Sequence, residues 1–211
     1  MRYDAILCYI YHNETSSSRS SYEKKTGLEI IESVKHVLHS HDFKNECRQH
    51  ATDFTRKRVL TFPVLVTFLL NMLTKTVQVE LTRFLTLLAG HTPTDSVSKQ
   101  AFSQARQKLS EQTFCRLNER LVDEFYTDNT YATWQGYRLM GIDGSTTQLP
   151  ESDAIRQEFG CSVNQCGPGM PLGRISVAYD LENGLSVDAQ LAPYGRGERD
   201  LAPVSYTHLT L

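Results

Sequence analysis

The sequence lacks any apolar run long enough to span a bilayer. Its longest, Phe62 to Leu73, is broken by Pro63, Thr67 and Asn71, whereas a membrane helix needs about 20 such residues. Five cysteines (Cys8, Cys47, Cys115, Cys161, Cys166) are an odd count. That argues against a disulfide framework and for reduced thiols in a cytoplasm. No signal peptide is legible: Asp4 separates the first Arg from the apolar stretch Ala5 to Tyr11, and no small-residue cleavage site follows. Proline and glycine are sparse, 7 and 12 of 211 residues, which excludes collagen-like and low-complexity chains. A large excess of one charge is missing too, the net charge being −2. What remains, 40% hydrophobic and 22% charged residues, suffices for one core or two small ones.

That small net charge hides an asymmetry. Residues 44–138 carry a net +4 and the two flanks together −6. A basic middle suits a polyanionic partner, although solvated helix faces have the same look.

Residues 1–25 show no sustained period, and the Thr15–Ser21 cluster predicts a disordered arm. From Leu28 the positions Ile31, Val34, Val37 and Leu38 predict a first helix. Pro63 fits a helix start, and Val64 to Leu73 reads as an almost wholly apolar helix that others must enclose. Val77, Leu81, Phe84, Leu85 and Leu88 form a stripe that stops at Gly90. A further helix over Ser98 to Leu109, capped by Asp95 or Ser96, puts Val97, Ala101, Phe102, Ala105 and Leu109 on one face. Its other face is Lys99, Gln100, Ser103, Gln104, Arg106, Gln107 and Lys108, without an acid. Phe114, Leu117, Leu121, Val122 and Phe125 give the last stripe, so an all-helical region over 26–130 ends near Asn129.

From Tyr137 the period changes. Tyr137 to Asp143 predicts a short buried strand, followed by a loop of about twenty residues. Ile175, Val177, Tyr179 and Leu181 then alternate, as do Leu185, Val187, Ala189 and Leu191. A three-residue loop Glu182-Asn183-Gly184, with Gly184 left-handed in a bulge, pairs 181 with 185, 179 with 187, 177 with 189 and 175 with 191. That register places apolar side chains opposite one another throughout.

The sharpest chemical feature is Gly141-Ile-Asp143-Gly-Ser-Thr146. Asp-Gly is ordinarily a turn signal, but Ser145, Thr146, Thr147 and Gln148 do not alternate as a returning hairpin strand would. A carboxylate at the end of a rigid apolar strand is also held as a divalent-metal ligand must be.

This motif, the later strand pair RISVAYDLENGLSVDAQLAP, the element GERDLA and the upstream helix VSKQAFSQARQKLS together resemble the DDE transposases of bacterial insertion sequences, family four. The resemblance covers residues 28–202. It implies an α+β chain: an N-terminal helical DNA-binding bundle over 26–130, then over 135–202 the first strands of an incomplete ribonuclease-H-like catalytic domain. It also implies metal-dependent hydrolysis of DNA phosphodiesters and strand transfer, with two Mg²⁺ ions held by three acids. Asp143 matches the first acid, as a catalytic metal ligand. Asp180, Asp188, Glu198 and Asp200 do not stand in the context of the other two. The resemblance thus implies an inactive fragment, with 203–211 a non-native tail begun by the helix-stopping Pro203. The implied partner is double-stranded DNA, both transposon ends and target, with no membrane. A homodimer is implied for the complete enzyme, and the location is the bacterial cytoplasm at the nucleoid.

DNA contacts on this reading come from Lys99, Gln104, Arg106 and Lys108 on the helix, and from Arg196 and Arg199 in the Gly-rich turn. The competing reading is a non-enzymatic helical DNA-binding regulator whose C-terminal strands serve packing or dimerisation. Other clusters carry less. His36, His39, His41, Cys47 and His50 fit no common zinc module and read as surface histidines. Cys161 and Cys166 read as incidental thiols. Gly167–Gly173 reads as a plain loop whose prolines remove the donors a phosphate cradle needs.

Overall fold

The computed structural model describes residues 27–71, 75–90, 97–127, 131–164, 167–197 and 200–201. The arm at 1–25, Cys166, Glu198, Arg199 and the 203–211 tail lie outside them. The chain is mixed α+β and divides into two compact units, Met1–Thr130 and Tyr131–Leu211. Among the described residues no helix is long and apolar enough to cross a membrane.

The first unit contains α1 (Gly27–His39), α2 (His41–Cys47), α3 (Phe62–Leu70), α4 (Val77–Ala89), α5 (Lys99–Arg106) and α6 (Thr113–Thr127). Helix α3 is the hub. Phe62, Val64, Leu65, Val66, Thr67 and Phe68 are all buried, so its apolar surface is enclosed on every side. Pro63 sits in its first turn, where no intrahelical donor is lost. The Phe68 ring meets those of Phe84 on α4 and Phe102 on α5 edge-on, at centroid distances of 5.3 and 5.2 Å. Helix α4 stops as its sequence predicts: Gly90 takes φ 76° and its N–H donates to the Thr86 carbonyl. Two stripe predictions need correction. Ala101 is exposed rather than core, and on α6 Phe114 is exposed while Thr113 and Tyr126 are buried. Thr113 is drawn in because its hydroxyl donates to the Ser110 and Cys47 carbonyls, at 2.7 and 3.2 Å.

The second unit holds β1 (Met140–Gln148), α7 (Asp153–Phe159), β2 (Cys161–Asn164), β3 (Gly167–Asp180) and β4 (Leu185–Pro193). Strand β3 is central: β1, β2 and β4 all pair with it antiparallel. Before the sheet, Gln135 and Gly136, at φ 50° and 83°, turn Trp134 back onto Tyr137 through two 2.9 Å backbone bonds. Tyr137 therefore belongs to that turn and not to β1.

Three further expectations give way here. The strand does not end at Asp143 but runs straight through it to Gln148, because Gly144 to Gln148 pair with Leu172 to Ser176. The expected twenty-residue loop contains α7 and β2, and Gly167–Gly173 is the first half of β3. The β3–β4 register matches the prediction at 177/189 and 175/191 but shifts between Ala178 and Tyr179, giving 179/186 and 180/185. The bulge lies inside the strand because the turn has four residues, Leu181–Gly184. Gly184 is left-handed, φ 68°, as expected. The longer turn is set by Asp180, which is fully buried. Its carboxylate accepts from the Glu182 and Asn183 N–H groups and from Asn183 Nδ2, at 3.1, 3.1 and 2.8 Å. Asn183 in turn exchanges two hydrogen bonds with the backbone of Ala132.

Candidate nucleic-acid interface

Helix α5 spans eight residues, Lys99–Arg106, about 12 Å at 1.5 Å per residue, and so is shorter than the expected 98–109. Its N-cap is Ser98, whose hydroxyl accepts from the Ala101 N–H at 3.2 Å. Its start is fixed to α4 by Gln78, which accepts from the Lys99 N–H and donates to the Val97 carbonyl, at 2.8 and 3.0 Å. Its end turns through Gln107 and Lys108 into Leu109, which bridges to Arg48. Phe102 anchors the middle on Phe68. A short helix held at both ends and its centre presents its outer face rigidly.

Lys99, Gln104 and Arg106 are exposed and Lys108 is half-buried, and none of their side chains bonds or ion-pairs with a described residue. The four do not form one strip. Lys99 and Arg106 lie two turns apart on one side, Gln104 lies about 140–160° round from them at 100° per residue, and Lys108 stands in the turn that follows the helix. Between them the exposed Gln100, Ser103 and Gln107 occupy the middle of the arc. Flanking cations with central amides and a hydroxyl match what a major groove offers, phosphates at its rims and base edges at its floor. Two other cations of the basic region are engaged. Arg116 and Arg120 pair with Glu46 at 3.7 and 2.7 Å, and Arg120 also lies over the Phe43 ring.

In the second unit Arg196 is exposed in the turn after β4, with its N–H donating to the Pro193 carbonyl.

Asp143 lies in the fourth position of β1, opposite Val177, with its side chain exposed and Oδ1 accepting from its own Gly144 N–H at 2.8 Å. It shares its sheet face with Ile175 and Val177, which are half-buried, and with Leu191, 51% exposed. Gly173 lets Leu191 lie flat there, since a Cβ on it would come within 2.7 Å of Leu191 Cδ1. The carboxylates of Asp180 and Asp188 belong to the opposite face, by their pairing with Met140 and Ala178. Asp188 accepts from Gln190, and Asp200 from the Gly197 N–H. Among the described residues no three His, Cys, Asp or Glu side chains are grouped to hold a metal ion. One exposed carboxylate does not fit a two-magnesium site by itself, because each hard cation needs several oxygen ligands.

His36, His39, His41 and His50 are exposed, with His39 on the Lys35 carbonyl and His41 on Asn45. Cys47 is fully buried, and burial pushes its thiol up from the ordinary range. Because the folded form keeps a proton that the unfolded thiol releases, this contribution to stability is present at neutral pH and is lost as pH rises above about 8.5. Cys161 accepts from Arg156 Nη1 at 3.2 Å.

Compared with known proteins, the chain matches no family model, no curated protein and no solved structure.

Proposed function

We propose that this chain is the DNA-binding part of a DDE-type transposase together with the first strands of its ribonuclease-H-like domain. Helix α5 enters a major groove and Asp143 supplies one ligand to a two-metal site. The observation that carries this reading is that the Asp-Gly pair is not a turn: Asp143 projects from the middle of a paired strand. A carboxylate held on a paired strand keeps its direction, as a ligand shared between two metals must. The antiparallel order β1-β3-β4 and the cationic arc of α5 support the same reading. The residues of this chain bind and orient the duplex, and supply one of the acids.

One gel experiment with supercoiled plasmid and Mg²⁺ tests it. The chain is expected to retard the plasmid without nicking it, and joint charge reversal at Lys99, Arg106 and Lys108 is expected to abolish the retardation. Absence of retardation by the parent chain contradicts the DNA-binding reading. Mg²⁺-dependent nicking that Asp143→Ala removes contradicts the assignment of a single ligand.

A further inference from the structure

Beside α5 the first unit has a cleft of about 610 Å³, walled on one side by the 52–60 loop and on the other by Gln104, Ala105 and Lys108. Among the described residues Arg56, Arg58 and Lys108 are the cations that line it. Neither arginine side chain bonds or ion-pairs with a described residue. Among the described residues the only acid in the lining is Asp53, and its carboxylate accepts from the His50 N–H at 3.0 Å.

The two walls are joined at their roots. Gln49 donates from its backbone to the Lys108 carbonyl and from its side chain to the Leu109 carbonyl, at 2.9 and 3.0 Å. The Ser110 N–H donates to the Cys47 carbonyl at 2.8 Å. Inside the loop, Phe54 takes φ 58° and seats its ring on Phe62 at 5.6 Å, and the Thr55 hydroxyl donates to the Thr52 carbonyl. The backbone that carries the cations is therefore a fixed frame, so little main-chain ordering accompanies binding.

We propose that this cleft seats one sugar-phosphate strand of duplex DNA, with Arg56 and Arg58 as phosphate ligands facing Lys108 across it. The inference rests on the DNA-binding reading of α5 and extends it: the helix lies in the groove while the loop grips the bordering backbone. Guanidinium groups suit this role, since their planar fork donates two bonds to one phosphate.

The test is fluorescence anisotropy of the full chain with a labelled 25-base-pair duplex across a range of salt. Each phosphate contact contributes about 0.9 to the slope of log K against log salt. R56Q/R58Q is therefore expected to lower that slope by about 1.8 and to weaken binding about 30-fold at 0.15 M salt. K75Q/R83Q, which removes two exposed cations elsewhere in the same unit, is the charge control and is expected to keep the parent slope. Melting curves of both variants are expected to overlay the parent, since the replaced side chains have no described partner. If the parent chain binds but R56Q/R58Q keeps its slope, or the control loses as much, the cleft assignment is overturned while the α5 reading stands. If the parent chain binds no duplex, the DNA-binding reading falls and the cleft assignment with it. Tighter, Arg56- and Arg58-dependent binding of single-stranded RNA of the same length overturns duplex DNA as the occupant.

Discussion

Phe68→Ala is expected to destabilise the helical unit by about 3–5 kcal/mol, the range for deleting a buried aromatic ring. Phe68 is 1% exposed and is the point where α3, α4 and α5 meet through ring contacts with Phe84 and Phe102. Its loss leaves a cavity between three helices that α3 alone cannot close, because both neighbouring faces of α3 are already packed. Domains of this size hold only about 5–15 kcal/mol in total. Urea unfolding followed by far-UV circular dichroism is expected to show a much lower midpoint for the helical transition. DNA binding should fall with it, since Phe102 on the outer helix rests on this ring. Phe68→Leu, which refills most of the volume, should recover much of the loss. An unchanged midpoint for Phe68→Ala would mean that α5 is not docked on α3.

The second large effect is expected in the sheet unit. Asp180→Ala removes an acceptor that serves two backbone N–H groups and the Asn183 amide at a fully buried position. Leaving such donors unsatisfied costs about 1–3 kcal/mol each when they stay buried, and about 3 kcal/mol is expected in all, because the turn partly relaxes into water. The one tryptophan of the chain, Trp134, lies in the segment that Asn183 clamps through Ala132. Its fluorescence therefore reports this unit, and the midpoint of its urea transition is expected to fall in Asp180→Ala while the helical transition stays in place. Asp180→Asn keeps an acceptor oxygen and should lose less. Equal stability of Asp180→Ala and the parent would show that the turn does not depend on this carboxylate.

The helical unit was legible because burial there follows local periodicity. The stripes of α3 and α4 and the glycine stop after α4 are written in consecutive residues, and the core uses them as spaced. In the sheet unit, apolar alternation located β3 and β4 and set the pairs 175/191 and 177/189, since a one-residue slip would turn Ile175 and Val177 to the other face. The shifted end of that hairpin was hidden, because a side chain, Asp180, imposes the turn length. The second half of β1 was hidden for a different reason. Gly144 to Gln148 have no apolar signal, and what makes them a strand is the backbone of β3, which lies about 30 residues further on. The prolines of β3 read as loop signals in isolation, although β2 and β3 pair there through an irregular register.

At the candidate site, the cationic face of α5 was visible as a run without acids. The sequence placed Lys99, Gln104, Arg106 and Lys108 on one face, but the helix separates them into two flanks. Arg56 and Arg58 were visible only as part of a basic region. Their position beside α5 depends on bonds from Gln49 to Lys108 and Leu109, roughly 60 residues apart in the chain, and no local pattern encodes that.

The central claim, that α5 and the loop beside it meet duplex DNA, is tested most directly by a two-dimensional amide NMR titration of the ¹⁵N-labelled full chain with a short duplex. The amides of Thr55–Arg58 and Lys99–Lys108 are expected to shift first and furthest, and high salt to reverse the shifts. Shifts confined to other parts of the chain, or none at any duplex concentration, would contradict it.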